Sequence, residues 1–376
     1  MGHVTVSAAR FRSMLANRHR TSQEAASAVT TRVDLTALAR VDADVSFEDL
    51  ERIAKYFKKS WAYLLCDAEE ALPDLGQDHR TFANRSVPLG PEILSELESA
   101  AFMLEAASDL FPETVYWVPP ILGLATVPAR TMAEEVRDFL AVSAASQLAA
   151  KDEYAALRLW VDALQERGVY VSQRRIRSET IRAFSKVRGH QAVIVADTGD
   201  TPYARIFSLL HEYSHIVLRS TGICDLDQHS TVERYCNDVA AIALLPEDLM
   251  RQEVHAGMFR GDEVGDDELL RSLSHRLRVS QAALLIRLRD AEVITSDGYA
   301  AMEARRRTRR VVRKGGGGQY YAVAINRVGR RFAREVFGAV ADGTINRTDA
   351  GALLGVRTHL VERYRDHLVG VDQVVK

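Results

Sequence analysis

Cysteine is scarce in this chain: Cys66, Cys224 and Cys236 are the only three in 376 residues, and none stands in CxxC spacing. An odd number cannot pair off within one chain, so a complete disulfide framework is excluded and a reducing, cytoplasmic compartment is expected. Long apolar runs are absent too. No stretch approaches the ~20 apolar residues that cross a bilayer, so no membrane partner is expected. MGHVTVSAARFRSML at the start lacks the apolar core of a signal peptide, which argues against export. Nor is there an excess of charge: 49 Lys and Arg against 51 Asp and Glu leave a net charge of -2, so any attraction to nucleic acid must be local. Apolar content is not lacking. With 47% apolar and 27% charged residues, the chain has ordinary globular usage and the length for two or three domains with their own cores.

Against this background one stretch stands out, His211-Glu212-Tyr213-Ser214-His215 within ARIFSLLHEYSHIVLR. On a helix, residues four apart lie above one another, so His211 and His215 can present two imidazoles to one metal ion while Glu212 projects beside them. A zinc hydrolase needs that arrangement, with room for a third protein ligand and a water whose proton the carboxylate takes. The surroundings agree. An apolar strand over 192–196 closes in turn residues, Thr201-Pro202 opens the next element, and Ile206, Leu209, Leu210, Ile216 and Val217 form a stripe that would bury the helix. TVERYCNDVAAIALLP follows as a second helical pattern ending at Pro246. Its Glu233 is the candidate third ligand, and Asn237, one turn on, is placed to hydrogen-bond a ligand from outside the coordination sphere. The plainer reading, that Glu233 and Asn237 only cap or solvate a helix start, stays open. Cys236 can serve as a soft ligand or pack as a small hydrophobe. Tyr235, His229, Tyr203 and Arg205 lie close in sequence, and none is marked as the oxyanion stabiliser.

ARIFSLLHEYSHIVL followed by ExxCN, alanines and a Leu-Leu-Pro close resembles the ImmA/IrrE family of metallo-endopeptidases. The resemblance implies one zinc ion per chain, ligated by His211, His215 and Glu233, with Glu212 as general base. It also implies a gluzincin-like core and a protein substrate, commonly a helix-turn-helix repressor. The fold expected is α+β and mainly helical, with helix-turn-helix-like domains flanking that core.

The N-terminal region carries helical apolar spacing over 8–16, 22–29, 35–41 and 47–57, and SFEDLERIAKYFKKSWAYLL resembles the closing helices of XRE-type domains. Its middle departs from that pattern, with Ala39-Arg40-Val41-Asp42 where a Trp-Glu-x-Gly element is usual, and Arg32 and Arg40 are nearly the only donors for base edges. DNA binding and a packing or partner-binding role both remain open for it. The expected organisation is a degenerate XRE-like domain over 1–66, linker and helix over 67–111, catalytic domain over 112–258, a helix-turn-helix-like domain over 259–300, and a basic extension over 301–376. Asp78-His79-Arg80-Thr81-Phe82 resembles the connector of such fusions. Residues 259–300 read as a lid beside the cleft or as a docking domain. The extension holds the densest basic run, from Arg305 to Lys314, in which Arg306, Arg309 and Arg313 are candidate contacts to DNA or an acidic partner. The glycines at 315–318 are no P-loop, because no Gly-Lys-Ser/Thr follows. A second functional reading is a non-proteolytic DNA-binding regulator or antitoxin that keeps the metallopeptidase fold as a scaffold.

Overall fold

A computed structural model describes residues 3–17, 20–57, 91–120, 127–178, 181–220, 229–255, 257–259, 263–308 and 320–374. Two compact units divide the chain, Met1–Phe102 and Met103–Lys376. Cys66, the connector at 78–82 and the end of the SFEDLERIAKYFKKSWAYLL segment lie outside the described residues.

In the first unit, α1 (Ala8–Asn17), α2 (Ser22–Ala28), α3 (Leu35–Leu38) and α4 (Phe47–Phe57) enclose Phe11, Met14, Leu35, Leu38, Leu50, Ile53 and Phe57. Helix α2 starts where it does because Thr21 and Glu24 cap each other, the threonine hydroxyl accepting from Glu24 N and the glutamate accepting from Thr21 N. Apolar spacing predicts a helix through Val41, but α3 stops at Leu38. The chain beyond it is drawn out as β2 (Ala43–Ser46), which pairs antiparallel with β1 (His3–Val6), and Asp42 accepts a hydrogen bond from Ala8 N at 2.8 Å. Strand pairing thus wins over local helix propensity. A single turn of about 6 Å is too short to lay a row of side chains along a groove.

Helix α5 (Pro91–Leu110) leads into the second unit, whose centre is a three-stranded sheet in the order β3, β5, β4. β5 (Gln191–Asp197) is buried along its whole length, as its unbroken apolar run requires of a central strand. β3 (Val169–Arg174) runs parallel to it and β4 (Ala183–Arg188) antiparallel. Sequence periodicity did not single out β4, because AFSKVR mixes a buried phenylalanine with polar residues, as an edge strand does. Gly189, at φ 56°, supplies the left-handed turn that joins β4 to β5.

Helices pack around this sheet: α6 (Ala129–Phe139), α7 (Ala144–Leu148), α8 (Glu153–Glu166), α9 (Pro202–Ser220), α10 (His229–Leu244), α11 (Glu247–Glu253), α12 (Glu263–Arg276), α13 (Gln281–Asp290) and α14 (Ser296–Thr308). Their apolar faces form one core with β3 and β5. The last helices, α15 (Tyr320–Val328), α16 (Arg330–Ala341), α17 (Arg347–Leu354) and α18 (Val361–Val374), close the β3 edge. There the carbonyl of Arg327 accepts from Ser172 Oγ at 2.6 Å and Arg174 Nε at 3.1 Å, and Glu335 accepts from Tyr170 at 2.6 Å and Thr114 at 2.9 Å. No helix among the described residues is long and apolar enough to cross a membrane.

Candidate metal centre

Helix α9 begins at Pro202, a residue suited to a first helical position, with Thr201 Oγ1 accepting from Ala204 N at 3.3 Å. Ile206, Leu209, Leu210, Tyr213, Ile216 and Val217 are all fully buried, which fixes the rotation of the helix about its axis. That rotation turns His211 and His215 together, with their Nε2 atoms 3.2 Å apart. Helix α10, with Val239, Ala240 and Ala243 buried, packs against α9, and it brings Glu233 to the imidazoles. One carboxylate oxygen of Glu233 lies 3.3 Å from His211 Nε2 and the other 3.3 Å from His215 Nε2.

The donor set suits zinc. A tetrahedral ion with bonds of ~2.0–2.1 Å separates its ligand atoms by about 3.3–3.4 Å, close to the nitrogen–nitrogen and nitrogen–oxygen separations found here. With one ligand atom taken from each residue, the three fall within 4.8 Å of one another. Electrostatics point the same way. Burial opposes charge on Glu233, yet hydrogen bonds from His211 and His215, and their positive charge, hold its carboxyl far below the usual range. On His211, burial again opposes charge, but the hydrogen bond to Glu233, the nearby Glu212 and Glu233 charges and the Asn237 side chain together raise its pKa. The site therefore favours positive charge against Glu233, which a divalent cation would supply.

Glu212 turns toward β4, where its Oε2 accepts a hydrogen bond of 2.8 Å from Ser185 Oγ. Phe207, one turn before His211, stacks near-parallel to that imidazole with ring centres 6.4 Å apart. The neighbours of the motif in sequence are engaged elsewhere. Tyr235 donates to Val127 O at 2.9 Å, and burial pushes its phenol up to about 12. Tyr203 accepts from Arg278 at 3.3 Å, and Arg205 donates to Gln173 Oε1 at 2.8 Å. Cys236 is buried on α10. The His229 side chain and Cys224 lie outside the described residues.

The basic run is only partly described. Arg306 pairs with Glu303 at 2.6 Å and Arg305 with Asp267 at 3.1 Å, whereas Arg309 and Arg313 fall outside the described residues. Ser185 went unremarked in the sequence, where its one signal is a hydroxyl residue at an inward position of a short strand.

Residues 164–289 match the model of peptidase family M78, described as the IrrE N-terminal-like domain. This span covers about a third of the chain and includes the sheet, α9, α10 and all the candidate ligands. The match supports kinship with the ImmA/IrrE family and a metallopeptidase role for this region. No curated protein matches the chain.

Proposed function

We propose that the protein is a zinc-dependent endopeptidase of the cytoplasm that cleaves a helix-turn-helix repressor and so controls gene expression. The convergence of His211, His215 and Glu233 beside Glu212, within the family-matched region, is the observation that supports it. His211 and His215 from α9 and Glu233 from α10 would hold one zinc ion, and the Glu233 carboxylate would offset part of its charge. Zinc, when bound, would act as a Lewis acid that acidifies a water and polarises the scissile carbonyl. Glu212 takes the proton on a carboxylate oxygen and returns it to the departing amine nitrogen. Asn237, one turn beyond Glu233, adds to the influences that raise the His211 pKa. The repressor as substrate rests on the family resemblance.

The test compares the proteome of host cells carrying the wild-type chain with that of cells carrying Glu212→Gln. The substitution keeps shape and hydrogen-bonding capacity but removes the base, so cleavage should fall by ~10²-fold or more. A helix-turn-helix regulator cut only in wild-type cells is the expected result. Identical fragment patterns in both would reject the peptidase reading and favour a non-proteolytic regulator built on the same scaffold.

A further inference from the structure

Strand β4 alternates its side chains between two faces of the sheet, and Ala183 and Val187 pack on the core that α9 shares. Ser185 stands between them on the same side, 8% exposed, where alternation and burial call for another apolar residue. A hydroxyl buried in such surroundings is costly unless it is hydrogen-bonded. Its partner is Glu212, whose Oε2 lies 2.8 Å away. Since an ionised carboxylate only accepts, the serine donates.

We propose that Ser185 is a positioning residue for Glu212: its hydroxyl fixes one carboxylate oxygen and leaves the other, Oε1, free to meet the proton of the attacking water. This rests on the peptidase reading given above. The geometry favours it for a simple reason. A glutamate on a helix has three rotatable side-chain bonds, and α9 alone fixes only its Cα, so a carboxylate without a tether would sample orientations unable to reach the water. The tether comes from a different element, the strand antiparallel to β5 whose register places Ser185 opposite Ile194. A rigid sheet thereby sets the position of a group carried by a helix. Ser185 touches neither substrate nor metal ligand in this account and acts only through Glu212.

The experiment uses full-length protein loaded with zinc, as wild type, Ser185→Ala, Ser185→Thr and Glu212→Gln. Crystal structures of the first three give a readout free of any substrate: the wild type and Ser185→Thr should hold Glu212 in one conformation, and Ser185→Ala should spread it over several. Calorimetry with acetohydroxamic acid, a chelator whose hydroxyl can donate to the base, gives a second. Losing a hydrogen bond to a charged group costs about tenfold, so Ser185→Ala should bind the chelator roughly tenfold more weakly, with Ser185→Thr near wild type and zinc content equal in all. If a cleavable substrate is in hand, kcat should fall by about the same factor in Ser185→Ala at unchanged KM, with rescue by threonine and no added loss in the Glu212→Gln background. Unmoved Glu212 and undiminished acetohydroxamate binding in Ser185→Ala would overturn the proposal. A wild type that cleaves no protein would instead count against the peptidase reading, and the structures and calorimetry would still decide the role of Ser185.

Discussion

His211 and Glu233 meet at 3.3 Å, and their shifted titrations set how this centre should respond to pH. The His211 pKa is raised, so its contribution to stability is full below the ordinary imidazole value of about 6.5 and is lost as pH rises through the folded value. The Glu233 pKa is depressed, so its contribution is present above the ordinary carboxylate value of about 4.3 and is lost only as pH falls through the folded value. Zinc reverses the upper limit, because it takes neutral imidazoles and binds more tightly as protons leave. The melting temperature of zinc-loaded protein should therefore exceed that of chelated protein by a margin that widens from pH 6 to pH 8. Thermal melts with and without chelator measure it, and a margin that narrows over that range would contradict the ligand assignment. Much at this scale was legible beforehand. The i, i+4 spacing of His211 and His215 fixes their common face on any helix, whereas Glu233 stood only as a candidate that a helix cap would explain equally well. Ser185 was not legible, since it reaches Glu212 across 27 residues of chain and its strand has no clean alternation to mark it.

The Glu233-bearing helix α10 ends inside the protein, where its last carbonyls need partners. Three elements supply them. Gln147 Nε2 donates to Leu244 O at 3.0 Å, Arg287 Nε to Leu245 O at 2.9 Å and Arg137 to Ala243 O, and Gln147 Nε2 also serves Leu277 O, just past α12, at 2.9 Å. Arg137 also lies over Trp160, 5.4 Å from the ring centre, and burial pulls its pKa down to about 10. Two cations at a helix C-terminus suit the dipole there as well as the hydrogen bonds. Gln147→Leu keeps the volume but strips two buried carbonyls of their donor, and should cost about 1–3 kcal/mol in urea unfolding. A change below about 0.5 kcal/mol would show that the carbonyls find other partners. No sequence pattern announces this knot, because its hydrogen-bonded partners lie up to 130 residues apart and none belongs to a motif. The strand β5 was readable as an apolar run, whereas β4 was hidden by its polar residues, and the truncation of α3 depends on the pairing of β2 with the distant β1, which periodicity does not carry.

Over the whole molecule, charge that looks like a surface feature in the sequence is partly spent on holding the second unit together. Arg330 pairs with Asp162, and Arg331 donates to Gln165 O at 2.7 Å, so two arginines of the basic C-terminal extension anchor α16 to α8 rather than face a polyanion. The same junction depends on Gly329, at φ 85°, where an added Cβ would sit 2.5 Å from Val171 O. Closure of the β3 edge matters because an open strand edge invites pairing with other chains. Gly329→Ala should therefore destabilise the protein by roughly 1–3 kcal/mol and promote aggregation on heating. Differential scanning calorimetry with light scattering checks it, and an unchanged melting temperature without aggregation would contradict this role for the junction.

Metal content tests the central claim most directly, because the centre exists only if two helices bring three side chains to one ion. Elemental analysis of purified wild type, Glu212→Gln and His215→Ala should find about one zinc per chain in the first two, since Glu212 is not a ligand. His215→Ala should retain little or none. Zinc held at wild-type levels by His215→Ala would contradict the account.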